Sequence, residues 1–514
     1  MYQVDSEDAN FLFLERTDSP THISLFALYE QDPGSPEVIR FQHVLQLIEK
    51  RLANTPVFRR KIKRLPADID YPYWVDDELF DLDYHVRHLA LPKPGDWRQF
   101  CIQISRLHSR PLDLTRPLWE LYVIEGLDKI AGLEHHGFAL YLKIHHAAMD
   151  EFTAIELLES LHQTIPNPHQ HEETAQPIAY LPAPAPGLAQ MLAQAAVNNS
   201  LRSVGMVRQS IRNYRMVSRF IARLGVQMFG KFIEGQAESS PANSRFGGQL
   251  STARVFQGAF FERHTFDELV AEVPGASLSH VLMLICGEAL RLYLQQHNEA
   301  SQDSLTGLRQ INLRNAGAHA LVGNRIAIEQ LDLFTNIPNL IDRLYAIVGS
   351  LRTLDDEDDI ESRGFKLHAL YDNVPAPLLA ILGRISNRDS SPSRQIMQTG
   401  HFGFAELRGP KVPLYLLGAK LYTFASISPL YSGCGLMFSA STYCDRIGLT
   451  FTSDRTMLPA PELMRDFLIS ALETAQSQLQ SSPRQANRRM SSTLPFPLPD
   501  TPQTERRKAK PKVV

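Results

Sequence analysis

The sequence predicts a mixed α/β fold with α+β layering, organised as two halves. The chain has 514 residues, whereas a single hydrophobic core usually stops growing at roughly 250–300 residues, so two halves are expected. Apparent strands such as residues 253–261 alternate with apparent helices such as residues 279–297. A proline-rich stretch after residue 178 separates two regions of folded character. These observations predict two layered α/β halves joined by a linker.

Composition divides the chain into four segments. Residues 1–178 form the predicted first half, and residues 241–480 form the predicted second half. Between them, residues 179–240 contain a linker stiffened by prolines and then a proline-free segment, from about Ala189 to Lys231, that predicts a long helix. Residues 481–514 are rich in proline, polar residues and Lys/Arg, so a disordered basic tail is expected there.

The predicted long helix carries a stripe of arginines. Their spacing of 4, 3, 4 and 4 residues places them along one side of a helix, with apolar residues on the remaining surface. The five residues are Arg208, Arg212, Arg215, Arg219 and Arg223. One interpretation is peripheral binding to an anionic membrane surface or a lipid droplet. The other is a helix packed on its own protein with a solvated arginine face, and the sequence leaves both open.

Charge and cysteine content limit the compartment and the partners. The formal net charge of −4 gives no general attraction to nucleic acid, so no nucleic-acid partner is expected. The amino terminus is acidic where a secretory signal would be basic, and no apolar stretch approaches the ~20 residues of a membrane span. The four cysteines form no C-x-x-C pair, which favours a reducing compartment. We therefore expect a cytoplasmic protein, attached peripherally to the inner face of the plasma membrane or to lipid droplets if the basic helix binds lipid.

Two adjacent histidines occur where a predicted strand meets a predicted helix. In GFALYLKIHH, residues 137–146, apolar residues alternate with others, so His146 shares a face with the apolar set and His145 points the opposite way. Apolar residues then recur every three residues from Phe152, which predicts a helix with Asp150 as its N-cap. The histidines therefore lie at a strand-to-helix junction.

Three kinds of chemistry could use this junction, and spacing separates them. Adjacent strand histidines face opposite ways and no Cys/His cluster supplies further ligands, so no metal site is expected. The chain also lacks G-x-S-x-G, G-x-G-x-x-G and the phosphate-binding G-x-x-x-x-G-K-[ST]. A histidine acting as general base remains, because an unperturbed pKa of about 6.5 leaves neutral imidazole at neutral pH. On the residues alone, a core histidine beside a capped helix is the more common explanation of an isolated histidine pair.

The motif H-H-x-x-x-D resembles the active-site signature of the CoA-dependent acyltransferase superfamily. Within that superfamily, the chain is most similar to the bacterial wax ester synthase/diacylglycerol acyltransferase family. The similarity extends over nearly the whole chain in several blocks that follow the family order. They are DANFLFLE near the amino terminus, RPLWELYVIEGL from Arg116, IHHAAMD, INLR from Ile311, GNR from Gly323, GPKVPLYLLGAKL from Gly409 and SPLYSGCGLMFSASTYCDRIGLTFTSD up to Asp454.

The resemblance implies a fold and a reaction. The fold would be two chloramphenicol-acetyltransferase-like halves with the active site between them. The reaction would transfer a fatty acyl group from acyl-CoA to diacylglycerol or to a long-chain alcohol, with His146 as general base and His145 and Asp150 as supports. Asn312 and Arg314 would orient the catalytic loop or pair with a carboxylate such as Asp150, although a surface ion pair is an alternative. Acyl-CoA would be a substrate, and no metal or bound cofactor is implied.

The chain departs from the family pattern at three places. Glu151 stands where the motif has glycine, SLSHV at residues 277–281 where relatives tend to carry an Asn-Asp pair, and ELRGP at residues 406–410 in place of an NVPGP-like stretch. Glu151 is thus a candidate supporting residue, or an ordinary acid in the first turn of a helix, where such a charge contributes about 0.3–1 kcal/mol. Two further functions therefore stay open: a non-catalytic or weakly active paralogue that binds acyl-CoA or lipid, and an acyltransferase with a non-lipid acceptor.

Overall fold

A computed structural model of the chain describes residues 2–31, 39–52, 55–130, 132–133, 136–166, 182–212, 244–300, 303–312, 326–351, 373–386 and 400–481. In chain order its strands are β1 (Tyr2–Gln3), β2 (His22–Glu30), β3 (Arg60–Lys63), β4 (Tyr73–Asp76), β5 (Val86–Ala90), β6 (Trp119–Leu127), β7 (Gly137–His145), β8 (Arg254–Glu262), β9 (Thr306–Asn312), β10 (Ile326–Asp332), β11 (Phe402–Arg408), β12 (Tyr415–Leu416), β13 (Ala419–Ile427), β14 (Leu436–Tyr443) and β15 (Arg446–Asp454).

The helices alternate with these strands, as the sequence predicts. They are α1 (Ser6–Leu14), α2 (Phe41–Leu52), α3 (Leu82–His85), α4 (Trp97–Ser109), α5 (Glu151–Leu161), α6 (Leu188–Arg212), α7 (His264–Glu272), α8 (Leu278–Gln296), α9 (Leu340–Leu351), α10 (Ala376–Ser386) and α11 (Pro461–Ser481). Short 3₁₀ helices lie at Pro56–Phe58, Pro66–Asp68 and Arg245–Gly247. Among the described residues, no helix combines the length and the apolar character needed to cross a membrane.

The first large sheet contains the strand that carries the histidine pair. Its six strands lie in the order β12-β13-β2-β7-β6-β5, and only β5 and β6 pair in parallel. Both faces of β7 are covered. Phe138 and Leu140 pack in a cluster with α2 and α5, whereas Ala139 and Tyr141 pack in a cluster with α4. Burial on both faces explains why the central strands are almost continuously apolar.

The second large sheet belongs to the second half of the chain. Its order is β10-β9-β11-β14-β15-β8, with β9, β11 and β14 parallel to one another and the outer pairs antiparallel. A large core formed by α7, α8, α9 and α11 covers one face. The predicted strand at residues 253–261 is β8, and the predicted helix at residues 279–297 is α8, so both predictions are confirmed.

Segments from the second half of the sequence cross to the first half. β13 pairs with β2 from Lys420–Glu30 to Ile427–Ser24, so it forms part of the first large sheet. α10 packs against α1, where Leu379 and Ala380 join a small core with Phe13. A third sheet, β1-β4-β3, lies near this contact, since the Tyr71 hydroxyl donates to the Val374 carbonyl at 2.8 Å. These crossings hold the two halves together around the histidine pair.

The long helix is present at its amino-terminal end. α6 ends at Arg212 within the described residues, and Arg208 is exposed. The side chain of Arg212, and Arg215, Arg219 and Arg223 altogether, lie outside the described residues, as does the predicted tail. The predicted division of the chain at residues 178 and 241 stays a prediction.

Candidate active site

The histidine pair lies where the sequence analysis places it. β7 ends at His145, residues 146–148 form a turn, and α5 begins at Glu151. Asp150 is the N-cap of α5, because its carboxylate accepts a hydrogen bond from the Thr153 N–H at 2.8 Å. Both histidines, Asp150 and Glu151 are buried. The prediction of a capped strand-to-helix junction is confirmed, but the strand alternation does not extend to His146, since that residue lies in the turn.

The ring of His145 is held at both nitrogens. Its Nδ1 accepts the N–H of Ala147 at 3.0 Å, so the proton of the neutral ring belongs on Nε2. Nε2 lies 3.1 Å from the Thr21 hydroxyl oxygen and 3.5 Å from Glu15 Oε2. Glu15 also accepts from the Thr21 backbone N–H at 2.5 Å and from the Thr21 hydroxyl at 2.6 Å. His145 is therefore fixed by a closed network of protein groups.

This network sets the charge of Glu15. Burial raises the pKa of its carboxyl, but hydrogen bonding and charge attraction from His145, together with the bonds from Thr21, hold the pKa below its usual range. Glu15 therefore stays ionised where His145 needs an acceptor. Neither Glu15 nor Thr21 was singled out from the sequence, although Glu15 is the last residue of the DANFLFLE block.

The ring of His146 has a different environment. It stacks on Phe11 of α1 with ring centroids 4.0 Å apart and an angle of 6° between the planes. Its backbone N–H donates to the Thr21 carbonyl at 3.0 Å, which ties the turn to the loop between α1 and β2. Stacking on a phenylalanine gives the imidazole ring a fixed orientation.

Glu151 is a buried partner of the second half of the chain. Its Oε1 accepts a hydrogen bond from Ser428 Oγ at 2.5 Å, and Ser428 directly follows β13. Burial raises the pKa of the Glu151 carboxyl to about 7, the Ser428 bond opposes that rise, and the nearby charge of Asp150 adds to it. Its Oε2 has no hydrogen-bond partner among the described residues. Glu151 does lie in the first turn of α5, but it is also enclosed between α5 and the end of β13. Its supporting role stays a prediction.

Two of the departures from the family pattern contact each other. Ser279, near the start of α8, donates its hydroxyl to the Glu406 carboxylate on β11. Arg408 donates to the other oxygen of the same carboxylate at 2.9 Å. The SLSHV and ELRGP segments thus form one local cluster, a relation that their separation in sequence does not reveal.

Asn312 and Arg314 are not brought to the site by the described part of the chain. Asn312 is the last residue of β9, where its backbone pairs with Ile326, and its side chain lies outside the described residues. Arg314 also lies outside them. Their supporting roles stay predictions. Among the residues that the structure describes, no three His, Cys, Asp or Glu side chains are arranged to hold a metal ion.

A polar layer links β2, the neighbour of β7, to α4. His22 is paired with His145 across β2 and β7, and its Nε2 donates to the His108 carbonyl at 2.8 Å. His108 Nδ1 lies 2.9 Å from the Ser24 hydroxyl oxygen. Burial holds the pKa of both His22 and His108 well below the usual value, so both rings are neutral. This layer supports the histidine turn without adding charge.

Comparison with known proteins gives the family. The model of the wax ester synthase/diacylglycerol acyltransferase catalytic domain matches residues 4–261, and the model of the family's C-terminal domain matches residues 322–476. The chain belongs to this family. The predicted O-acyltransferase class is thereby confirmed at the level of the family, and residues 4–261 contain the histidine motif.

Individual relatives agree with this membership. An O-acyltransferase named WSD from Acinetobacter baylyi is 26% identical over 454 residues, which cover 88% of this chain and 92% of the relative. A putative diacylglycerol O-acyltransferase from Mycobacterium tuberculosis is 24% identical over 490 residues, which cover 94% of this chain and 99% of the relative. These names describe those proteins and do not by themselves fix the acceptor used by this chain.

Solved structures confirm the predicted fold. The wax ester synthase/diacylglycerol acyltransferase from Marinobacter aquaeolei VT8 matches with a TM-score of 0.64 at 21% identity, covering 93% of this chain and all of that one. The first condensation domain of the CDA synthetase matches with a TM-score of 0.54 at 14% identity, covering 93% of this chain and 97% of that domain. This chain thus shares its two-lobed fold with that condensation domain.

Proposed function

We propose that the chain transfers a fatty acyl group from acyl-CoA to a lipid alcohol, with His146 as the general base. The observation that carries this proposal is the unequal environment of the two adjacent histidines. His145 has its nitrogens engaged by Ala147, Thr21 and Glu15. His146 instead stacks on Phe11, a contact made through the face of its ring. The two rings thus divide into a support and a base.

The proposed reaction needs one base that returns its proton. The neutral imidazole of His146 removes the proton from the acceptor hydroxyl as that oxygen attacks the thioester carbonyl carbon. The tetrahedral intermediate then collapses with cleavage of the carbon–sulfur bond. The imidazolium returns the proton to the departing sulfur, which leaves as free CoA, and the product is an oxygen ester. A base of this kind contributes roughly 10²–10⁴-fold in rate.

Burial of the site favours transfer to an alcohol over hydrolysis. His145, His146, Asp150 and Glu151 are all buried, and Glu151 contacts Ser428 of the second half. Water in such a site would compete with the alcohol for the acyl group, so an enclosed site protects the thioester. We assign the acceptor as diacylglycerol, which is named in the relatives, or a long-chain alcohol, the acceptor that formation of a wax ester requires.

We further propose peripheral attachment to lipid through α6. Apolar side chains on its outer face are largely exposed: Val197 by 53%, Leu201 by 68%, Val204 by 69% and Ile211 by 72%. Their spacing places them on one side of the helix, opposite the buried Met191 and Ala195. The exposed Arg208 falls on the same side. Apolar residues beside a basic residue are typical of helices that lie in a membrane interface.

Product analysis with purified protein tests the acceptor. Palmitoyl-CoA is offered with dioleoylglycerol, with hexadecanol and with a water-soluble alcohol in separate reactions, and esters are separated by chromatography. The proposal predicts ester from one or both lipid alcohols and free CoA in equal amount. Ester from the water-soluble alcohol alone would identify a non-lipid acceptor. Binding of palmitoyl-CoA without any ester would identify a non-catalytic paralogue.

A further inference from the structure

A cleft separate from the histidine pair opens between the two halves of the chain. It lies between α4 of the first half and, from the second half, β8 and the segment that joins β15 to α11, and its volume is about 630 Å³. This volume falls within the roughly 300–1,000 Å³ of small-molecule sites. Five arginines line it together with a single carboxylate, that of Glu462. The arginines are Arg98, Arg106, Arg110, Arg254 and Arg455.

The floor of this arginine-lined cleft is formed where β8 is hydrogen-bonded to α4. β8 is an edge strand, and two of its N–H groups are satisfied by serine hydroxyls of α4 instead of another strand. Ser105 Oγ accepts from the Phe256 N–H at 2.9 Å, and Ser109 Oγ accepts from the Arg254 N–H at 3.0 Å. Each hydroxyl donates in turn to a helix carbonyl one turn earlier, at 2.6 Å and 2.7 Å. The floor is therefore fixed by paired polar groups and needs no ligand to hold it.

The charges at the rim of the cleft are not balanced. Arg254 is buried and paired with Asp454 at 3.3 Å, and Arg98 pairs with Glu462 at 3.2 Å. The other three, Arg106, Arg110 and Arg455, are exposed and form no ion pair with any described residue. Three unpaired guanidinium groups around one cavity are suited to a ligand with several phosphate oxygens, because arginine binds phosphate in a bidentate manner.

The cleft is physically connected to the catalytic histidines. Thr17 lines the cleft, and the same loop carries Glu15 and Thr21, which hold His145. Arg254 donates to the Asp18 carbonyl in that loop. On β7, Lys143 lies two residues before His145 and donates to the carbonyls of Leu107 and Arg110 at the end of α4. A ligand with its phosphates in the cleft and a long arm could reach the histidine turn along this loop.

We propose that the arginine-lined cleft binds the phosphate groups of CoA, namely its 3′-phosphate and its diphosphate, and so places the thioester at His146. This inference rests on the proposed function, since it assumes that the donor is acyl-CoA. The cleft lies between the two halves, so a small ligand can enter it, whereas a flat bilayer surface cannot. This position favours CoA as the ligand. The 3′-phosphate and the diphosphate offer separate anionic groups for the separate arginines, whereas a monoester lipid headgroup offers one.

The test removes the three unpaired charges and leaves the floor intact. The variant Arg106→Gln/Arg110→Gln/Arg455→Gln is compared with Arg40→Gln/Lys50→Gln/Arg51→Gln, which removes the same charge from exposed basic residues elsewhere. Titration calorimetry with free CoA should show at least about a tenfold weaker Kd for the cleft variant, because the variant loses the charge-assisted hydrogen bonds from arginine to phosphate. The control variant should bind CoA like the wild type. Wild type should also bind dephospho-CoA more weakly than CoA.

Steady-state kinetics separate the nucleotide from the acyl chain. The cleft variant should show a raised KM for palmitoyl-CoA with little change in kcat, and an unchanged KM for palmitoyl-pantetheine, which lacks the nucleotide. Hydrogen exchange provides a reading that needs no variant: CoA should protect the end of α4 and residues 455–462 in the wild type. CoA protection confined to other segments would overturn the assignment of the cleft.

The outcomes distinguish this inference from the proposed function. CoA binding lost in the cleft variant supports the inference even if no tested alcohol yields ester, in which case the acyl-transfer proposal alone fails. Equal CoA binding by the cleft and control variants overturns the inference while ester formation would still support the proposed function. Binding to phosphatidylglycerol vesicles lost in the cleft variant, with CoA binding intact, would reassign the cleft to lipid headgroups and also overturn it.

Discussion

Replacing the buried Glu151 should change the stability of the protein by an amount that depends on pH. The variant Glu151→Gln keeps an oxygen that can accept from Ser428 but cannot ionise. In the folded protein the carboxyl of Glu151 has a pKa of about 7, against an ordinary value of 4.5. The folded state therefore holds a proton that the unfolded state releases between these two pH values. Across this window, stability contributed by Glu151 is lost as the pH rises.

The magnitude follows from the difference between these pKa values. One pH unit of difference corresponds to about 1.4 kcal/mol, so ionising Glu151 in the folded protein costs about 3 kcal/mol once the pH exceeds 7. The glutamine variant does not incur this cost. The free energy of unfolding of the variant minus that of the wild type should therefore increase by about 3 kcal/mol as the pH rises from 4.5 to 8. Any effect of the new amide group adds a constant that does not change with pH.

Urea unfolding followed by tryptophan fluorescence suits this measurement. All three tryptophans, Trp74, Trp97 and Trp119, lie in the first half with Glu151. Their fluorescence therefore reports the unfolding of the half that contains Glu151. Unfolding is measured at pH 5, 6, 7 and 8 for wild type and variant. Glu156→Gln, which removes an exposed acid from the same helix, is the matched control and should show no comparable trend. A difference between wild type and Glu151→Gln that stays constant with pH would refute the reasoning.

Three further predictions concern the residues around the histidines and the lipid surface. Glu15→Gln should be less stable than the wild type at neutral pH, with a difference that disappears as the pH falls. The reason is that the pKa of Glu15 is lowered in the folded protein, so its contribution to stability is present above its unfolded pKa and is lost at lower pH. A loss of stability in the variant that persists at pH 3 would contradict this. Ser428→Ala should lower the free energy of unfolding by about 1.5–3 kcal/mol at pH 8, where the bonded carboxyl is ionised, and by less at pH 5, as measured by urea unfolding; an equal loss at both pH values would count against the bond. Liposome flotation should require anionic lipid and weaken with added salt, and binding that survives replacement of the arginine stripe by glutamine and of Leu201 and Val204 by serine would exclude the helix. The stripe comprises Arg208, Arg212, Arg215, Arg219 and Arg223.

Local patterns in the sequence predicted the local structure well. The alternation in residues 137–144 correctly assigned Phe138 and Leu140 to one face of β7 and Tyr141 to the other. The three-residue repeat after Asp150 correctly placed the start of α5 and its N-cap. Such patterns report which face of an element is buried, and they are set by residues close together in the chain.

The partners of the site residues could not be predicted in the same way. Ser428 lies 277 residues from Glu151, and Thr21 lies 124 residues from His145. β13 joins the first large sheet although it belongs to the second half of the sequence, because strand order depends on pairing between distant segments. Periodicity indicates that a face is buried but not which segment covers it. The sequence therefore indicates the first-turn position of Glu151 but not its enclosure by the end of β13.

The central claim is that His146, and not His145, is the base in acyl transfer. Ester formation from palmitoyl-CoA and a lipid alcohol is measured for wild type, His146→Ala and His145→Ala, with circular dichroism and CoA binding as checks on folding. The account predicts a loss of roughly 10²–10⁴-fold in kcat for His146→Ala. It predicts a smaller loss for His145→Ala, since that ring acts through its position. Ester formation by folded His146→Ala within about tenfold of the wild type, or a greater loss in folded His145→Ala, would contradict it.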